Sequence, residues 1–446
     1  MASFSKEGFL WTPEGSQDGL ETNAVQSSSA NIRESYDVIV IGAGFTGLIA
    51  ARELSQRHHL KVLILEARDR IGGRTWTAKV LGEEVEMGGT WVHWTQPHLY
   101  SELRRYGLHA NLKTSAGTAA PAKQVFKYGS TPPQEIPIEV SMNTLERLAE
   151  AFFTIEETNS RQLMPYPHDP FKEGAPWTKH DHLSVKDRLV SLSGFPDWEK
   201  RMFESNISTF GSAPGQEIAF TEALRWYALS GHSMAGVFEL AGLYKIGNGG
   251  MTSFARAILG EYKGDMALET TVKESAIAKG HINKGTKVHI KLRDTEPGWF
   301  ATADSQDSAY VFAFTDHNGT HSSNSSGTWC IGFGYNMGLK DPKDSKYIID
   351  RFRADIHPGA QVEAYATHDW VNDPYSKGGW ACWGPGCAST FLQELQKPDG
   401  RVLFASADWA DGWRGFIDGA IEQGQQAAQN VVALLQSENG VLRPRL

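Results

Sequence analysis

Three glycines, Gly42, Gly44 and Gly47, follow the β-branched run Val38 to Ile41 at the spacing G-x-G-x-x-G, and Glu66 lies 19 residues beyond the last of them. Residues of these types at this spacing hold a dinucleotide. One glycine makes a tight turn, one lets the backbone approach a pyrophosphate, and one packs helix closely on strand, with the diphosphate at the helix N-terminus. Ala43 and Thr46 complete the turn. Val62 to Leu65 is the second strand, and it delivers the Glu66 carboxylate to where both ribose hydroxyls can be accepted. Ala67, Arg68, Gly72-Gly73-Arg74 and Gly88-Gly89-Thr90-Trp91 follow in quick succession. Two more glycine pairs and an arginine imply a second stretch of backbone closing on the same anion.

The elements that must position these residues are legible in outline. Phe45 to Arg57 reads as a helix with Leu48, Ala51 and Leu54 on one face, giving the strand–turn–helix–strand order a dinucleotide fold needs. From about 111 to 245 the pattern is mostly helical. Leu145, Leu148, Phe152 and Ile155 form one stripe, and Glu222 to Tyr244 is a long apolar stretch broken by Gly231 and Gly236. Residues 286 to 335 alternate apolar and polar between turn signals, as in an antiparallel meander. Tyr347 to Ile356 reads as a helix, Val402 to Ala405 as a strand, and Gly419 to Gln436 as a closing helix. Residues 1–35 are polar and Ser/Gln/Asn-rich, and read as a loosely held arm.

Composition narrows the function classes. The chain has 446 residues, 40% hydrophobic, with a net charge of −9, which allows two large domains or about three ordinary ones with ample core. The charge and the lack of a basic stripe argue against a nucleic-acid partner, and a mild negative field favours cationic small molecules. Cys330, Cys382 and Cys387 are too few for a disulfide scaffold and lack zinc-site spacing, so no metal is expected and a reducing compartment fits. No apolar run approaches the ~20 residues that cross a bilayer. The C-terminal Pro444-Arg445-Leu446 is similar to a peroxisomal address, which makes the expected location intracellular, peroxisomal or otherwise cytoplasmic.

The Glu66-Ala-Arg68-x-Arg-x-Gly72-Gly73-Arg74 run resembles that of the flavin monoamine oxidases, in particular the soluble fungal type. The likeness extends nearly end to end, through Trp226-Tyr-Ala-Leu-Ser-Gly231 and His368-Asp-Trp370. A second motif more than 350 residues later, Asp408-Trp … Gly412-Trp-Arg-Gly-Phe416-Ile417, is similar to the family's closing flavin motif. The resemblance implies an α/β fold whose GR2/Rossmann-like FAD-binding domain is built from residues 36–110, 246–279 and 397–436. A substrate domain of antiparallel sheet and helices, 111–245 and 280–396, is inserted, and 437–446 form a tail. It implies FAD, bound noncovalently because Gly379 stands where membrane-bound members carry a tethering cysteine. Gly42, Ala43, Gly44, Thr46, Gly47, Glu66, Ala67, Arg68, Gly73, Arg74, Gly89, Thr90, Trp91, Val272, Asp408 and Ile417 are the implied cofactor contacts. Trp380 and Phe416 match the two aromatic walls that stand either side of the amine. Lys284, in Gly280-His-Ile-Asn-Lys284, matches the lysine that assists flavin reoxidation, with Lys287 as its competitor.

The implied activity is oxidative deamination of small primary or secondary amines, with dioxygen reduced to hydrogen peroxide. A homo-oligomer is allowed. Where the family runs through several further strands after Gly249-Gly-Met-Thr-Ser-Phe254, this chain has only Tyr262 to Val272 before Lys273. Several dozen residues are expected to be missing from the cofactor domain. Two alternatives follow: a catalytically impaired or non-enzymatic binding member, and an L-amino-acid or polyamine oxidase.

Overall fold

The computed structural model describes residues 3–172, 174–272, 284–316, 326–335 and 338–438. Two sheets organise the chain. The smaller is parallel, with the order Asp265–Ala267, Val62–Leu65, Val38–Ile41. Its short β-branched strands feed helix Phe45–Gln56, which packs Leu48, Ile49 and Ala51 against helix Gly250–Glu261 and the closing helix Ile417–Glu438. Gly424 allows that last contact, because a Cβ there would press 2.6 Å from the Thr46 carbonyl oxygen.

The larger sheet has nine strands. Gly285–Leu292 and Thr328–Tyr335 run antiparallel side by side at its centre, and Thr328–Tyr335 is buried along its whole length. Trp299–Ala303, Phe312–Thr315 and Thr328–Tyr335 pair in order, as expected of a meander. Gly285–Leu292, however, joins beside the last of them. A helical layer packs through Leu145, Leu148, Phe152, Phe203 and Phe220. The expected stripe residue Ile155 lies past the end of its helix, Ile138–Phe152.

Two expectations are corrected. The N-terminal arm is not loosely held: Phe9–Thr12 and Gly15–Asp18 form one edge of the nine-stranded sheet, with Trp11 stacked on Tyr365. Its polar composition serves ion pairs, as Glu7 binds both Arg68 and Arg70. Val402 to Ala405 forms no strand. Val402 makes a single bridge to Asp399, and Val402 and Phe404 stay exposed because no neighbouring strand accepts them. No described helix is long and apolar enough to cross a membrane. The tail tripeptide Pro444-Arg445-Leu446 lies outside the described residues.

Candidate active site

The glycine turn behaves as its sequence requires. Gly42 adopts φ +98°, a conformation that L side chains avoid, and the space where its Cβ would stand is open. A Cβ on Gly47 would collide with the Gly42 carbonyl, so this glycine sets the helix–strand spacing. Helix Phe45–Gln56 begins at Gly44 with no side-chain cap and no acidic residue in its first turn. Its first amides and positive dipole end are therefore left for an anion. Ala43 is buried beside Thr46, which opens the helix. The buried Glu66 carboxylate accepts the Ala43 amide at 2.6 Å and the Arg68 amide at 2.9 Å, which holds it at the lip of the turn. Thr270 donates its amide to the Glu66 carbonyl, bringing the stretch that ends at exposed Val272 to the same lip.

The second glycine segment lies against the first. Gly72 donates its amide to the Ala43 carbonyl at 2.9 Å, and a Cβ on Gly73 would stand 3.2 Å from the Gly44 Cα. Arg68, next to Ala67, is not aimed at an open anion. It pairs with Glu7 at 2.9 Å and Asp373 at 2.6 Å, so the carboxylates it holds belong to the protein.

Arg74 joins the distant motifs. It donates to the Gly379 carbonyl at 2.7 Å and to Asp408 Oδ1 at 2.8 Å, so two segments, each more than 300 residues further along the chain, meet at its guanidinium. Gly89 takes its place because a Cβ there would meet Thr75 Oγ1 at 2.8 Å and Ile417 Cδ1 at 3.5 Å. Trp380 donates its indole N–H to the Phe210 carbonyl at 2.7 Å. The Phe210 ring meets Trp226 edge-on at 6.0 Å, and Trp226 meets Phe416 edge-on at 6.2 Å. Phe210, Trp226 and Phe416 therefore form a chain of edge-on rings, which Trp380 joins through the Phe210 backbone. Phe210 and Phe238, 5.7 Å apart, were not distinguishable in sequence from core residues. Cys382 is buried with its sulfur directed at Gly211.

The two candidate lysines stand in different places. Lys284 is exposed just ahead of strand Gly285–Leu292, whereas Lys287 is buried within the strand. Strand alternation puts Gly285, Lys287 and His289 on one face. Lys287 Nζ donates to Thr90 Oγ1 at 2.6 Å, Glu86 O at 2.8 Å and Gly88 O at 3.1 Å, and stands 5.1 Å from the Trp91 ring centre. Burial pushes this amine down to about 7, pushes Glu86 up to about 7, and pushes His289 down to about 3. Beside them Lys245 binds Asp316, which accepts from Ser115 at 3.0 Å; Ser115 accepts the Trp91 indole N–H at 3.4 Å. Sequence reading missed this polar floor because its members come from five separate segments.

The profile of the family described as flavin containing amine oxidoreductase matches residues 45–305 and 268–432. Pseudooxynicotine dehydrogenase of a Pseudomonas species is 34% identical, over 94% of this chain and 90% of its own length. Nicotine dehydrogenase of Pseudomonas putida is 28% identical over 90% of this chain and 89% of its own. Among solved structures, putrescine oxidase (bound to putrescine) superposes with a TM-score of 0.71, at 19% identity, covering 89% of this chain and 99% of that one. Cyclohexylamine oxidase from Brevibacterium oxydans gives 0.66 at 19% identity, covering 90% and 99%. With its glycine cradle, uncapped helix and joined motifs, the chain belongs to the flavin-containing amine oxidoreductases and takes FAD as its cofactor.

Proposed function

We propose that the chain oxidises a small primary or secondary amine to an imine, which water converts to an aldehyde or ketone, with dioxygen taking the electrons as hydrogen peroxide. FAD is held without a covalent bond. The observation that carries this reading is Arg74, which ties the second glycine segment, packed on the first, to Asp408 and to the Gly379 carbonyl beside Trp380. When bound, FAD supplies the hydride acceptor, and the protein supplies position and environment. Trp380, Phe210, Trp226 and Phe416 make an apolar surround in which an ammonium is disfavoured by desolvation, so the neutral amine is the form presented. Glu66, Gly42, Ala43, Gly44, Thr46, Gly47, Ala67, Gly73 and Val272 hold the nucleotide end, while Gly89, Thr90, Trp91, Asp408 and Ile417 hold the ring end. Arg68 supports them through Asp373 and Glu7. Lys287 replaces Lys284 as the amine that orders a water for reoxidation, because its three oxygen partners fix it on the Gly88–Thr90 segment.

The test is the visible spectrum of the purified protein during anaerobic addition of an amine, beginning with pseudooxynicotine and a simple arylalkylamine. Flavin bands that bleach, then return in air with peroxide released, are expected. Return only with an added dye acceptor would keep the amine reaction and make the protein a dehydrogenase, the name its two Pseudomonas relatives carry. Protein that stays colourless even with added FAD would overturn the reading. The peroxisomal location rests on Arg445 and Leu446 alone and is tested by removing them from a fluorescent fusion.

One observation favours a second reading, a member whose hold on FAD is weakened. The match to pseudooxynicotine dehydrogenase runs over 476 aligned positions and uses 94% of 446 residues, about 419, so about 57 positions of the relative have no counterpart here. The two profile matches overlap at 268–305, where the sequence runs short. Strand Val38–Ile41 is the edge of its sheet among the described residues, with Ile39 56% and Ile41 66% exposed.

A further inference from the structure

Away from the flavin cradle, the start of the closing helix carries a second set of groups with metal-ligand chemistry. His98, Asp418 and Glu422 each place one ligand atom within 4.8 Å of the other two. Asp418 is fully buried and uses one carboxylate oxygen, Oδ1, on the Leu99 amide at 2.7 Å. Its other oxygen, Oδ2, is buried without a hydrogen-bond partner. A buried carboxylate oxygen left without a partner is costly and calls for an explanation.

The neighbouring groups are arranged around the same vacant valence. Glu422 uses Oε1 on the Asp411 amide at 3.1 Å. His98 Nδ1 meets Gln425 Oε1 at 3.2 Å; donation there leaves the Nε2 lone pair as the ligand, the usual way a ligating histidine is oriented.

A second three-residue cluster shows what a satisfied arrangement looks like. Glu7, His368 and Asp373 also lie within ligand reach of one another, but Arg68 and Arg70 already supply their positive charge. No lysine or arginine pairs with Asp418 or Glu422 among the described residues. Two carboxylates balance one divalent cation, and imidazole beside carboxylate selects a borderline transition metal over calcium or magnesium.

We propose that His98, Asp418 and Glu422 form a binding site for a divalent transition-metal ion of the Zn2+ class. The ion clamps the N-terminus of helix Pro97–Arg105 to the start of helix Ile417–Glu438, two residues after Phe416. His98 and Glu422 are half-buried and give it a route from solvent. This site stands independently of the amine chemistry.

Tag-free protein stripped with EDTA is titrated with Zn2+ by calorimetry, and metal retained after gel filtration is counted by mass spectrometry. One Zn2+ per chain is expected, with affinity reduced about tenfold or more in Glu422→Gln and in His98→Asn. Circular dichroism confirms that the variants fold. The unaltered chain loaded with Co2+ gives a reading that needs no variant: an intense visible d–d band reports a four-coordinate nitrogen/oxygen site. No retained metal, no such band, or a Zn2+ affinity that both folded variants leave unchanged overturns the proposal. The last outcome would move the ion to Cys387 or another surface group.

Discussion

The two sheets of this chain are built to different standards. In the nine-stranded sheet the central strands are buried on both faces, and one outer edge is occupied by the hairpin of the N-terminal arm. In the three-stranded sheet, among the described residues, the motif-bearing strand Val38–Ile41 is an edge with two exposed isoleucines, and Val402 and Phe404 lie exposed with no ladder to join. Yet the thinner sheet carries the cofactor motif in full. Chemistry-bearing residues are thus held by short-range features rather than by the width of the sheet: a glycine turn, a helix end, and one arginine that joins three segments.

The sharpest way to break this comparison is to place the same charge in each sheet. Ile290→Lys would bury an unpaired ammonium between fully covered strands, a loss of about 4 kcal/mol or more, enough to abolish soluble folded protein. Soluble yield and a thermal melt measure it. A folded Ile290→Lys protein would show that the larger sheet is as open as the smaller.

The next effect concerns the joint between the two regions. Asp373 holds Arg68 and His368. Burial alone would raise its carboxyl, but the His368 hydrogen bond and the Arg68 charge outweigh it and hold it well below the usual range. A depressed carboxyl contributes stability above its unfolded-state value, near pH 4, and that stability is lost as pH falls toward the folded value. Asp373→Asn should therefore cost about 3 kcal/mol at pH 7, with the gap from the unaltered chain closing below about pH 4. Melting temperatures across pH 3–8 test this, and a gap independent of pH would remove Asp373 from the joint.

The sequence showed the cofactor half better than the elements behind it, for physical reasons. Gly42, Gly47 and Gly89 are readable because no other residue fits where they stand. The arm was misread because polar composition looks the same whether residues face water or, like Glu7, face buried arginines. Val402 to Ala405 has strand chemistry, but a strand needs a neighbour, and none is present among the described residues. Lys284 was favoured over Lys287, three positions on, because motif spacing was counted from Gly280, outside the described residues. The strand alternation that selects the inward side chain begins only at Gly285.

That displacement gives a prediction of intermediate size. Lys287→Met should slow flavin reoxidation in air by about 10²-fold, the usual cost of one preorganised donor, while anaerobic reduction by amine changes little. The reoxidation profile of the unaltered protein should inflect near pH 7, where the buried amine changes charge, and Lys287→Met should lose the inflection. Lys284→Met should stay within about twofold, since an exposed side chain outside the strand has nothing to lose. The opposite ranking, measured by stopped-flow, would restore Lys284.

The smallest effect is the most telling about the thinner sheet. Ile41→Lys replaces a side chain already two-thirds exposed, so it should change stability by no more than about 0.5 kcal/mol, against the unfolding expected of the same change at Ile290. A lysine on an open edge also opposes pairing with a second chain, so aggregation on concentration should fall. If Ile41→Lys instead destabilises as a core substitution does, the edge is covered in solution, by another copy of the chain or by residues outside the described ones. Light scattering at rising concentration separates these covers, because a second copy gives a defined dimer that Ile41→Lys dissociates, and a cover from within the chain gives a monomer at every concentration.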